Sequence, residues 1–253
     1  MHWSDAAIIL SARKYGESGA VLRVLAREHG LYAGVMRGAN SKNNRGVVQA
    51  GNVVGAAWNA RLSEQLGAFK LELLEAHAAH LMSDAGKLSA LSSACSILEL
   101  VLPERHPYPK LFAVFHEFLH TLIAKDDWWE DYVKLELEIL SECGFGLDLS
   151  ECAATGRTDE LIFVSPKSGR AVCAQAGEPY KAKLLALPEF LLGNNAASHK
   201  QILAGLALTG YFLEHSLLAP HGKKLPAVRT RLIALFEIEC LKLNGESSNN
   251  PLL

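Results

Sequence analysis

No apolar run in this 253-residue sequence approaches the roughly 20 residues that a helix needs to cross a bilayer. No basic stretch leads into an apolar one after Met1-His2-Trp3-Ser4-Asp5, so a secretory leader is not expected. Cysteines are scarce, odd in number and scattered (Cys95, Cys143, Cys152, Cys173, Cys240), which argues for reduced core thiols in a cytoplasmic chain. There is no P-loop, no glycine-rich dinucleotide turn after a strand and no nucleophile elbow. No spacing of Ser, His and Asp singles out a triad. Nor is there an excess of charge of one sign: 25 Lys and Arg face 27 Asp and Glu, a net of −2.

That balance hides an asymmetry. Met1 to Ser63 carries eight basic residues against three acidic ones, a net of +5. The remainder holds 17 against 24, a net of −7. A basic segment joined to an acidic body points to a polyanion meeting the first part. In that segment, short apolar runs recur at about ten-residue spacing: Ala6–Ala12, Ala20–Ala26, Leu31–Gly38, Val53–Ala60 and Ala68–Leu73. Gly, Asn and Ser punctuate them, which predicts about five strands closed into a small barrel, of OB or SH3-like type. From Ser83 the period changes. Leu88, Leu91, Cys95, Leu98 and Leu102 recur three and four apart, capped by Ser83 or Asp84 and ended by Pro103. Further helices are expected over Pro109–Ala124, Asp127–Glu142, Lys181–Leu192, Ala197–Leu218 and Pro226–Leu243. Between them, Cys143–Gly177 reads as irregular around one strand-like run, Leu161–Val164. The polar tail from Asn244 is expected to fray.

Four features carry chemistry. His116-Glu117-Phe118-Leu119-His120 matches HExxH, which on a helix sets two imidazoles on one face with a carboxylate to activate a metal-bound water. No histidine follows at the short spacing of a three-histidine site, and Glu130, Glu136 and Glu138 on the next helix have no supporting pattern. Both histidines can simply flank the apolar stripe Leu111, Phe112, Phe115, Leu119, Leu122. No metal site is therefore expected, and a zinc hydrolase using His116, Glu117 and His120 stays as the alternative. In the segment 143–177, Cys152 and Cys173 each lack the second thiolate of a Cys-x-x-Cys knuckle, since Thr155 and Ala176 occupy those places. In the basic segment, Trp3, Tyr15, Tyr32 and Trp58 accompany the cations, as on surfaces that bind phosphates and stack bases. The loop Arg37–Arg45 reads as flexible and rich in donors. Last, Lys223, Lys224, Arg229 and Arg231 surround a helix start beside Val228, Leu232 and Leu235, a basic rim suited to an acidic-hydrophobic peptide.

Several of these segments together resemble one family. Arg13-Lys14-Tyr15-Gly16-Glu17-Ser18, Arg27-Glu28-His29-Gly30 and Gly34-Val35-Met36-Arg37-Gly38-Ala39 resemble the N-terminal barrel of the RecO family of bacterial recombination mediators. Leu135–Leu140 running into Cys143–Gly156, and then Val164–Val172, is similar to that family's helix and its zinc-finger-like insert. The resemblance implies an α+β multidomain chain. An N-terminal OB-fold β-barrel would span 1–78 and an all-α helical domain 79–253, with a small zinc-finger-like insert at about 143–177 lacking a complete metal site. It implies no catalytic residues and no cofactor. It implies binding of single- and double-stranded DNA, strand annealing, and loading of RecA onto DNA coated by single-strand-binding protein, together with RecR and sometimes RecF. On this reading DNA meets Arg13, Lys14, Arg23, Arg37, Lys42 and Arg45. The tail of single-strand-binding protein meets the helical domain, with Lys223, Lys224, Arg229 and Arg231 as its site. An adaptor whose barrel binds protein remains a further alternative.

Overall fold

A computed structural model describes residues 1–62, 65–193 and 197–247. Five strands come first: β1 (His2–Tyr15), β2 (Gly19–Ala26), β3 (Gly30–Met36), β4 (Val53–Asn59) and β5 (Ala68–Glu75). They close into a barrel in the order β1-β2-β3-β5-β4. All pairings are antiparallel except the one between β3 and β5, at Val35–Ala68. The five expected runs fall on these strands, because period-two alternation survives wherever one face looks inward. Ala7, Ile9, Leu22, Val24, Val54 and Trp58 fill the interior.

Strand β1 does not keep one parity. A bulge at Leu10 separates the pair Ile9–Val24 from Ser11–Arg23. Before it, odd positions point inward; after it, even positions do. Ile8, Leu25 and Leu31 point away from the barrel interior, yet each is 0% exposed. This apolar outer rung needs a cover, which explains why the first compact unit runs on to Asp126. It takes in α1 (His77–Leu81), α2 (Ala85–Val101) and α3 (Pro109–Ala124), and α2 packs on β1. Strand gives way to helix between Glu75 and His77, beside the boundary placed after residue 78. The compact units divide about 50 residues later. The Asp84 carboxylate caps α2 by accepting from Lys87 N at 2.9 Å. Pro109 opens α3 at its first position. The short α1 has no counterpart among the expected helices.

The loop expected to be flexible, Arg37–Arg45, is instead tied down. Asn44 Nδ2 donates to Gly38 O at 3.0 Å, and Asn52 Nδ2 donates to Gly46 O at 2.8 Å. Arg45 N and Val48 N make helix-like bonds to Ser41 O and Asn44 O. Ala39 and Val48 are buried in the barrel core, so this loop plugs one end of it.

The second compact unit, Asp127–Leu253, starts with α4 (Trp129–Glu142). It ends in a Schellman turn: Phe145 N donates to Leu140 O and Gly144 N to Ser141 O, with Gly144 at φ +84°. Next come β6 (Leu161–Val164), β7 (Ala171–Cys173) and the single turn α5 (Ala174–Gly177). The helix expected over Lys181–Leu192 does not form. Two 3-10 turns flank β8 (Leu185–Ala186), which pairs with β6 and makes a three-stranded sheet β7-β6-β8. Pro188 forbids a continuous helix there, and the free edge of β6 captures the apolar Leu185. The insert therefore reaches beyond residue 177.

Helix α6 (His199–Phe212) opens on a capping box of Ser198 and Gln201. It continues through a π turn and a 3-10 turn to His221. This 23-residue segment, His199–His221, is long and apolar enough to span a bilayer by length and composition, contrary to the expectation that no such run exists. More than half of its apolar window is nevertheless buried in the protein, and α6 packs against α4, as a core helix does. Helix α7 (Ala227–Ser247) ends the described chain. It includes the first residues of the tail expected to fray, and 248–253 lie outside the described residues.

Candidate nucleic-acid interface

The register of β1, β2 and β3 fixes which cations share a face. Ser11, Arg23 and Ala33 form one rung, and Arg13, Val21 and Val35 the next. Past the bulge these positions point outward, so Arg13 and Arg23 stand diagonally on one surface. Two clefts of about 370 and 520 Å³ lie along it. The first holds Arg13 and Arg23; the second runs between the β1–β2 turn (Tyr15–Gly19) and Gly67, with Arg37 on its wall. They meet at the Val21–Val35 rung. Tyr15, 57% exposed, is the one aromatic of the four that presents its ring to solvent here.

Lys14 has the opposite parity and leaves the other side of β1. Lys42 and Arg45 are exposed on the plugging loop rather than on the three-stranded face. Trp58 belongs to the barrel core, and Trp3 and Tyr32 pack half-buried against it, clustering with Phe69 and His29 and lining, with Arg105, a further cleft of about 510 Å³. Trp58 Nε1 donates to Ala33 O at 3.1 Å.

One cation of this face was not among the expected site residues. Arg105, from the loop between α2 and α3, lines the first cleft and lies over the Tyr32 ring at 5.7 Å. Its backbone adopts φ +64° and its N–H donates to Leu31 O at 2.9 Å. Gly30, at φ +77°, makes this docking possible: a Cβ there would sit 1.7 Å from His106 O. A Gly-Leu pair at a strand start was the only trace of this in the sequence.

The face is not bare of acid. Arg13 reaches Glu99 at 3.6 Å and Arg23 reaches Glu104 at 3.3 Å. Ser11 also donates to Glu99. Arg23 Nε is buried and has no hydrogen-bond partner among the described residues.

The four cations assigned to an acidic tail do not form one surface. Lys223, Lys224 and Arg231 are exposed. Arg229 is 3% exposed and grips Glu136 of α4 in a fork, Nε to Oε1 at 2.7 Å and Nη2 to Oε2 at 2.8 Å. It also donates to Leu206 O. Burial opposes its charge, but Glu136 beside it holds the guanidinium firmly protonated. Arg229 is a core ion pair joining α4, α6 and α7, not a docking residue.

In the insert, Cys152 and Cys173 come together with Thr155. Cys173 N donates to Cys152 Sγ at 3.2 Å, and the Thr155 hydroxyl lies 3.6 Å from Cys173 Sγ. Burial pushes the Cys152 thiol up, but hydrogen bonding from Thr155 and from the Cys173 and Ala154 backbone outweighs it and holds the thiol below its ordinary value.

The HExxH pair has partners that lie upstream. His116 Nε2 is 3.0 Å from Glu75 Oε1; His77 Nε2 and His120 Nε2 lie 3.0 and 3.2 Å from Glu75 Oε2. Glu117 is exposed and is not one of this group. Desolvation raises Glu75, but the His116 hydrogen bond and the surrounding imidazoles hold its carboxyl below the usual range. Burial holds His77 below the ordinary imidazole value, against the pull of its bond to Gly51 and of Glu75.

A barrel with a cationic outer cleft, followed by a helical region bearing a small three-stranded insert, defines the chain as a two-part α+β protein. Models of the N-terminal and C-terminal parts of recombination protein O match residues 1–77 and 82–225. A DNA repair protein RecO of Rhodospirillum centenum is 48% identical over 235 residues, covering 92% of this chain and 94% of that relative. One of Bartonella quintana is 46% identical over 239 residues, covering 94% and 98%. The chain belongs to the RecO family.

Proposed function

We propose that this chain is a DNA repair and recombination protein that holds DNA on the β1–β2–β3 face of its barrel. The observation that carries this reading is the strand order β1-β2-β3-β5-β4 together with the two clefts. That order is the one an OB-fold has, and OB-folds bind oligonucleotides on their second and third strands and in the loops after the first and fourth. Here the cleft bearing Arg37 lies between the β1–β2 turn and Gly67–Ala68, where the chain enters β5, and Arg13, Arg23 and Arg105 continue it. Spaced guanidiniums grip phosphates, and Tyr15 offers a ring on which an unstacked base can lie. Lys42 and Arg45, exposed on the plugging loop, would extend this path for a longer strand or a duplex, whereas Lys14, on the other side of β1, would not.

Binding of this kind is sequence-tolerant and needs no covalent chemistry. Two complementary strands held by their backbones keep their bases free to pair, which suits strand annealing. The family likeness supports the further role: helping RecA onto single-stranded DNA coated by single-strand-binding protein, with RecR and RecF as partners, in the bacterial cytoplasm. The helical second unit would dock those proteins. Lys223, Lys224 and Arg231 remain the proposed contacts for the acidic tail of single-strand-binding protein. A tail peptide titrated against a variant with alanine at these three positions is expected to bind several-fold more weakly; unchanged affinity removes them. The reading as a whole is tested by annealing of complementary oligonucleotides, which should be accelerated by the protein and slowed by Arg13→Glu with Arg37→Glu. Equal rates with and without protein would refute it.

A further inference from the structure

We propose that Glu75, His77, His116 and His120 form a closed binding site for one divalent transition metal of the zinc class, which clamps α3 to the end of β5. The four side chains offer one carboxylate and three imidazoles, and their ligating atoms all lie within 4.8 Å of one another. Zinc held tetrahedrally at about 2.0–2.1 Å has ligand-to-ligand edges of roughly 3.3 Å. Three of the contacts here come close to such edges: 3.0 and 3.2 Å from Glu75 Oε2 to the Nε2 atoms of His77 and His120, and 3.3 Å between the Nε2 atoms of His120 and His116, whose Nε2 also lies 3.0 Å from the other carboxylate oxygen, Oε1.

The hydrogen bonds around His77 favour the same conclusion. Its Nδ1 lies 3.1 Å from Gly51 O, and a carbonyl can only accept, so the proton sits on Nδ1. That leaves Nε2 as the nitrogen facing Glu75, 3.0 Å from Oε2 and placed to ligate an ion shared with that carboxylate. An imidazole whose other nitrogen donates to a backbone carbonyl is the usual second-shell arrangement of a metal-bound histidine. Imidazoles with a carboxylate suit zinc and its first-row neighbours rather than calcium or magnesium.

Local structure explains the convergence. His116 and His120 are four apart on α3 and share a face. Glu75 closes β5, and His77 opens α1 two residues later. The site is structural rather than hydrolytic. Its four positions are all filled by protein, and Glu117, which an HExxH hydrolase needs beside the metal, faces solvent.

The test uses untagged full-length protein, stripped with chelator and reloaded with Zn²⁺. Metal analysis should give about one equivalent, and free metal at about 100 times Kd should raise the melting temperature by roughly 5–10 °C. His116→Ala with His120→Ala should abolish the uptake, and Cys152→Ser with Cys173→Ser should leave it unchanged. Because the double histidine change touches a packed helix, His120→Gln at an exposed position serves as the second variant. It should weaken binding by more than the roughly 10–100-fold that a second-shell change costs. Co²⁺ bound in place of zinc should show tetrahedral d–d bands without a thiolate charge-transfer band. Uptake below about 0.1 equivalent, uptake indifferent to both histidine variants, or a thiolate band would overturn the proposal.

Discussion

Arg229 shows how little a charge says until its surroundings are known. In sequence it sits among exposed cations at a helix start; in the fold it is buried against Glu136. Removing one member of such a pair strands the other in low dielectric. Arg229→Met is expected to destabilise the second unit by about 3–5 kcal/mol in chemical denaturation, while the same change combined with Glu136→Leu should recover most of that loss. Lys223, Lys224 and Arg231 substitutions should leave stability within about 0.5 kcal/mol. On the barrel, Glu104 is 3.3 Å from Arg23 and shares its charge. Glu104→Gln should therefore tighten binding of a single-stranded oligonucleotide several-fold at low salt, and less at high salt, measured by fluorescence anisotropy. Weaker binding would mean that Glu104 orients Arg23 for DNA.

The elements differ in how legible they were. The strands could be read because an alternating pattern needs only one buried face, and α3 because Pro109 and the Leu111–Leu122 stripe mark it from end to end. The bulge at Leu10 could not be read: Ile8, Ile9 and Leu10 look like a plain apolar run, and only the helical cover makes both faces of β1 apolar. The segment 181–192 failed as a helix because β6 offered an edge about 20 residues upstream. The histidine pair on α3 was visible, but its partners Glu75 and His77 lie about 40 residues before it on a different element, beyond any local spacing rule. Arg105 was missed for the same reason. Its placement depends on Gly30, so Gly30→Ala should displace the loop after α2. The expected cost is more than about 3 kcal/mol in stability, with a matching loss of DNA affinity, because a left-handed backbone and a clash with His106 coincide. A stable Gly30→Ala protein with unchanged affinity would disconnect that loop from the DNA face.

At the scale of the whole molecule, the excess of cations in residues 1–63 and of acids in the rest fits the proposed division of labour, in which the barrel would bind a polyanion and the helical unit would dock protein partners. Some cations counted in that first segment do not serve the face: Arg27 lies over the Phe112 ring at 5.2 Å, and Lys14 leaves the opposite side of β1. The measurement that tests the account most directly is the salt dependence of binding to a single-stranded oligonucleotide. With Arg13, Arg23, Arg37 and Arg105 each on a phosphate, log affinity against log salt should fall with a slope of about −2 to −3, and each Arg→Ala change should lessen that slope by about 0.7. An affinity unchanged between low and moderate salt, or a slope indifferent to Arg13→Ala with Arg37→Ala, would contradict it.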